Sequence, residues 1–184
     1  MLPWLTAISL LAGALPPLQT TPTGFRFEDA AGEHRLTVVR TVKRRSATLQ
    51  VTHEVKPPKG AWTKVFQAND FVPACEFDLT LELVKDSLQL SDADGDGAVE
   101  VSFAYVLGCR SDVSPLSLKL LLYEGSTKYA LRGTSRVLVG QDEQGKPQFE
   151  GGDHQADPAF KDAAPLLTFA QARWDAALKA LLGP

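Results

Sequence analysis

The sequence predicts a mainly β fold of the α+β class: an antiparallel sheet or small sandwich with one C-terminal amphipathic helix packed on it. Three observations predict it. Apolar residues alternate with polar ones in short runs from Phe25 to Arg132, and turn-forming residues separate those runs. After Pro165 the apolar spacing changes to three and four residues, the period of a helix with one buried face. The composition, 184 residues with 44% hydrophobic and 22% charged positions, is that of a globular chain long enough to bury a core.

Taken in order, Phe25 and Phe27 alternate with polar neighbours, Ala31-Gly32 supplies a turn, and Arg35 to Val42 continues the alternation, which together read as a hairpin. Ser46 to Val55 repeats it through Leu49, Val51 and His53, and Pro57-Pro58-Lys59-Gly60 stops it. Phe77-Asp78-Leu79-Thr80-Leu81-Glu82-Leu83 is the cleanest period-two run, a strand with one buried face. Val99, Val101, Phe103, Tyr105 and Leu107 form a second such set, and the two runs are expected to pair. Leu118 to Tyr123 and Lys128 to Arg132 are strand candidates joined by the turn Glu124-Gly125-Ser126-Thr127. Leu167, Ala170, Trp174, Ala177, Leu178 and Leu181 mark the helix, with Pro165 in its first turn and Gly183-Pro184 closing it. Burying Trp174 against the sheet should contribute about 2 to 3 kcal/mol.

Residues 1–14 read as a signal peptide. Leu5 to Ala14 is apolar, uncharged and too short to span a membrane, and Ala12-Gly13-Ala14 has the small-x-small pattern of a cleavage site, here placed after Ala14. No Lys or Arg precedes the run, so the terminal amine supplies its only positive charge. Residues 15–23 are expected to form a linker, and residues 24–184 a single β-rich domain ending in the helix. Cys75 and Cys109 are the only cysteines, and an even pair in an exported chain is expected to form a disulfide. Closing the loop between them removes denatured-chain entropy worth about 3 to 4 kcal/mol. The formal charge of −3 and a pI near 5.6 argue against a nucleic-acid binder, and no membrane span is expected.

The sharpest chemical signal is Asp92-Ala93-Asp94-Gly95-Asp96-Gly97-Ala98-Val99-Glu100, with carboxylates at loop positions 1, 3, 5 and 9 and glycine at 6. A hard divalent cation takes several oxygens at about 2.3 to 2.6 Å, and alternate residues of a tightly wound loop can all point inward to supply them. Asp92, Asp94, Asp96 and Glu100 are therefore candidate side-chain ligands of calcium, and Ala98 a candidate through its carbonyl. An EF-hand would require a bidentate Glu at position 12, which is Phe103 here, and helices rather than strands on either side. The stretch resembles the shorter calcium loops of integrin-type and related extracellular β-repeat proteins, which implies a structural ion stapling a turn between strands.

No Gly-x-Ser-x-Gly elbow occurs, and His34, His53 and His154 fall in no zinc spacing, so no catalytic residue is assigned. Arg40, Lys43, Arg44 and Arg45 read as a solvated hairpin end. The stretch from Asp92 through Glu100-Val101-Ser102-Phe103-Ala104-Tyr105, then Gly108-Cys109-Arg110-Ser111-Asp112-Val113-Ser114-Pro115 and Leu118-Lys119-Leu120-Leu121, resembles a small family of exported bacterial proteins described as surface polysaccharide biosynthesis proteins. Tyr129-Ala130-Leu131-Arg132-Gly133 and Ala156-Asp157-Pro158-Ala159-Phe160 fit the same resemblance. It implies a role in the envelope, periplasmic or extracellular, with envelope polysaccharide or another envelope protein as partner, but brings no catalytic residue. The expected function is thus a calcium-stapled, non-catalytic binding or accessory protein; the alternative is a glycan-processing enzyme.

Overall fold

The computed structural model describes residues 15–21 and 24–183, so the expected signal peptide of residues 1–14 lies outside the described residues. The first sheet is an antiparallel meander of β1 (Gln19–Thr21), β2 (Gly24–Asp29), β3 (Gly32–Lys43), β4 (Ser46–Lys56) and β5 (Thr63–Val72), side by side in that order. β1 lies within the stretch read as a linker and pairs with the start of β2. Gly24 is required there, because its φ is +154° and a Cβ would meet the Leu36 carbonyl oxygen at 1.9 Å.

The second sheet holds β6 (Asp78–Leu83), β7 (Gln89–Ser91), β8 (Glu100–Arg110), β9 (Ser117–Glu124), β10 (Thr127–Thr134) and, after a two-stranded ribbon of β11 (Arg136–Gln141) and β12 (Pro147–Gly151), β13 (His154–Ala156). Its order is β13-β10-β9-β8-β6, all antiparallel, with β7 pairing the other end of β8's β6 edge. A 3-10 turn (Pro158–Asp162) leads into helix α1 (Ala164–Leu182).

These pieces stack as sheet, sheet and helix. Alternation places Leu36, Leu49, Val51, Phe103, Tyr105, Leu121 and Tyr123 in a core between the two sheets. The opposite face of the second sheet, with Ala104, Leu118, Leu120, Leu122 and Leu131, packs on Leu166, Ala170, Trp174, Ala177 and Leu178 of α1. The helix therefore buries Leu166 where Leu167 was expected, and Leu167 and Leu181 flank the stripe half-covered. Covered on both sides, β8 and β9 carry almost unbroken burial.

The predicted pairing of the two period-two runs is present: β6 runs against β8 with Leu79 opposite Cys109. Cys75 and Cys109 form a disulfide with Cα atoms 5.6 Å apart, which ties the β5–β6 connection to β8. Phe77, expected to share the buried face of β6, lies outside the strand and is 63% exposed. Between the sheets, the Asp70 carboxylate accepts from Tyr105 Oη at 2.8 Å and Lys119 Nζ at 2.5 Å. Burial alone would raise the Asp70 pKa, but hydrogen bonds from Lys119, Tyr105 and the Phe71 amide hold it below the usual carboxylate range.

Candidate metal centre

The acidic loop is the connection between β7 and β8, whose facing ends, Ser91 and Glu100, are cross-strand partners. Three side-chain-to-backbone hydrogen bonds wind it. Gly97 N donates to Asp92 Oδ1 at 3.3 Å, Asp96 N to Asp94 Oδ1 at 3.3 Å, and Ala98 N to Asp96 Oδ1 at 2.7 Å. Gly95 and Gly97 take φ of +77° and +88°, the left-handed region open to glycine, which is what lets the alternate aspartates turn to one side.

The result is a convergence of oxygens. Asp92, Asp94, Asp96 and Glu100 each bring one carboxylate oxygen to within 4.8 Å of all the others, a group able to hold a metal ion. Ala98 lies on the loop between Asp96 and Glu100, where a carbonyl oxygen is expected to join them.

Glu100 anchors the group. It is fully buried, and its Oε2 accepts from Ser91 Oγ at 2.6 Å and from the Ala93 amide at 2.9 Å. Its Oε1 is also buried and, among the described residues, nothing donates a hydrogen bond to it. A buried acceptor without a partner costs free energy in an ordinary core, about 1 to 3 kcal/mol and more for a charged group. Burial pushes the Glu100 carboxyl above its usual range; the Asp94 and Asp92 charges add to that push, and the Ser91 and Ala93 hydrogen bonds oppose it. A cation beside Oε1 would relieve both the missing partner and the mutual repulsion. The donor set fits a metal on this observation: every donor is an oxygen, the preference of hard cations, with no imidazole or thiolate.

A further carboxylate borders the site. Glu124 ends β9 directly opposite Glu100, and Tyr129 Oη lies 3.5 Å from its Oε2. Burial raises the Glu124 pKa, followed by the charges of Asp96, Asp94 and Glu100. Sequence reasoning took Glu124 only as the first residue of a turn; the signal that finds it is the β8–β9 register.

Of the other sequence candidates, His34 and His53 come together and His154 stands apart, its ring 5.0 Å from Trp174. His34 Nε2 bonds Asp29 Oδ1 at 2.8 Å and its Nδ1 bonds His53 Nε2 at 2.9 Å, in a row buried under Phe27 and Phe66. The basic residues lie exposed at the end of the β3–β4 hairpin, as expected. Arg40 donates to the Leu81 carbonyl at 2.6 Å and to Glu82, Arg45 pairs with Glu76, and Arg44 occupies the β3–β4 turn.

Compared with family models, curated proteins and solved structures, the chain matches none. Among the described residues no helix is long and apolar enough to cross a membrane.

Proposed function

We propose that this chain is an exported, calcium-stapled β domain that acts as a non-catalytic binding or accessory protein of the bacterial envelope. The observation that carries the ion is the buried, unpartnered Oε1 of Glu100, a residue whose carboxylate converges with those of three aspartates. Calcium suits the site better than magnesium, because it accepts several carboxylates and a carbonyl in flexible geometry, whereas magnesium tends to keep its waters. An exposed loop of this kind typically binds calcium at about 10⁻⁴ to 10⁻³ M, a concentration met outside the cytosol.

Export is supported by the Cys75–Cys109 disulfide, which persists in oxidising compartments. The polysaccharide association extends the reading through the resemblance of the segments around the loop, with an envelope glycan or another envelope protein as the partner.

Thermal melting tests the ion. At calcium about tenfold above Kd, binding to the folded state alone adds about 1.4 kcal/mol, a Tm rise of roughly 3 to 6 °C over the value in chelator. Asp94→Ala is expected to abolish the rise while melting in chelator at or above the natural protein, since it removes one of the repelling charges. Equal melting of both proteins with and without calcium would refute the ion.

A further inference from the structure

The loop by itself offers too few oxygens. With one oxygen from each of Asp92, Asp94 and Asp96, the expected Ala98 carbonyl, and Oε1 of Glu100, whose Oε2 already holds Ser91 and Ala93, the loop would supply five. Calcium takes about six to eight. In a twelve-residue calcium loop a bidentate carboxylate at the last position makes up the number. That position is Phe103, which is fully buried between the two sheets, on the opposite face of β8 from Glu100.

The missing carboxylate stands on the next strand. Glu100 and Glu124 are Cα partners across β8 and β9, and both follow the side-chain phase of Ala104, Leu120 and Leu122, on the helix side of the sheet. Directly opposite residues have Cβ atoms about 4.5 to 5.5 Å apart, and like charges so placed destabilise a sheet. After burial, the charges of Asp96, Asp94 and Glu100 push the Glu124 pKa up, so these carboxylates lie near enough to repel it. Among the described residues no basic side chain forms an ion pair with Glu124, Glu100 or the three aspartates, whereas Lys119 and Arg132 on the same hairpin pair elsewhere, with Asp70 and Asp157.

We propose that Glu124 is the remaining protein ligand of the loop's cation, supplying from β9 the carboxylate that the twelfth loop position lacks. The ion then fastens three elements, the β7–β8 loop, the start of β8 and the β9–β10 hairpin. This rests on the reading of the loop as a cation site.

Calorimetric titration of the full chain with calcium separates the two claims. The natural protein is expected to bind one calcium, Asp94→Ala to lose binding, and Glu124→Gln to bind at least about tenfold more weakly, in the range seen when groups that support a metal site are removed. The Glu124 deficit should persist in 1 M NaCl, where a Debye length of about 3 Å screens a charge that is merely nearby. Glu124→Asp should recover part of the affinity. Folding is checked by melting in chelator, where Glu124→Gln should be no less stable than the natural protein. A Glu124→Gln affinity within twofold of the natural one, or a deficit that vanishes at high salt, overturns the role of Glu124 and leaves the loop intact. Absence of binding by the natural protein overturns both.

Discussion

Replacing Trp174 with alanine is expected to destabilise the fold by about 3 to 5 kcal/mol, the cost of removing a large aromatic from a packed core and leaving a cavity. Trp174 is 1% exposed at the centre of the helix–sheet core, and its Nε1 donates to the Gly152 carbonyl at 2.9 Å. That bond ties α1 to the end of the β11–β12 ribbon. For a chain of this size the loss corresponds to a Tm decrease of roughly 6 to 20 °C. Trp174→Phe should keep most of the packing and leave the carbonyl unpaired, costing about 1 to 3 kcal/mol. Chemical denaturation of the three proteins checks the order; a Trp174→Ala loss below about 1 kcal/mol would show that α1 does not hold the core together.

The second large effect is a loss of stability in mild acid centred on His53. Burial, reinforced by repulsion from His34 and only partly offset by Asp29 and Glu54, pushes the His53 pKa down to about 4 from 6.5. The hydrogen bonds give a physical picture. Asp29 accepts, so the tautomer that satisfies the row has His34 donate Nε2–H to Asp29 and accept at Nδ1 from His53 Nε2–H. His53 Nδ1 is left buried without a partner, tolerable as a bare lone pair and costly as N–H⁺.

The sign follows from proton counts. Between pH 6.5 and about 4 the unfolded chain binds the His53 proton and the folded chain does not, so stability falls as pH falls and levels off below about 4. The full loss is on the order of 3 kcal/mol. Glu100, with its raised pKa, acts in the opposite direction in metal-free protein, so the comparison needed is natural protein against His53→Gln. The difference in unfolding free energy should shrink steadily from pH 7 to pH 4, and a pH-independent difference would contradict the assignment.

Much of the fold was legible because the relevant strands keep strict alternation. β3, β4, β6 and β8 each expose one phase to polar surroundings or to a different layer, and turn residues mark their ends. β5 was missed for a local reason. A bulge opposite His53 and Glu54 places Val65 and Phe66 side by side and breaks the period, and its next inward positions are Ala68 and Asp70, small or charged. Asp70 reads as an outward residue until Tyr105 and Lys119 are seen to meet it. The β11–β12 ribbon is mostly exposed and so carries no burial period, with Leu138 and Phe149 open to solvent.

The metal loop was visible because all its side-chain candidates lie within one short stretch whose spacing has a coordination meaning. Glu124 and the Asp29–His34–His53 row were not, since each depends on cross-strand partners that only the register brings together.

A crystal structure grown in about 10 mM calcium, with diffraction recorded to reveal anomalous scattering, tests whether the loop holds the ion. A single calcium peak is expected about 2.3 to 2.6 Å from oxygens of Asp92, Asp94, Asp96, Ala98 and Glu100. Density showing those oxygens turned out into solvent, with no ion between them, would contradict it.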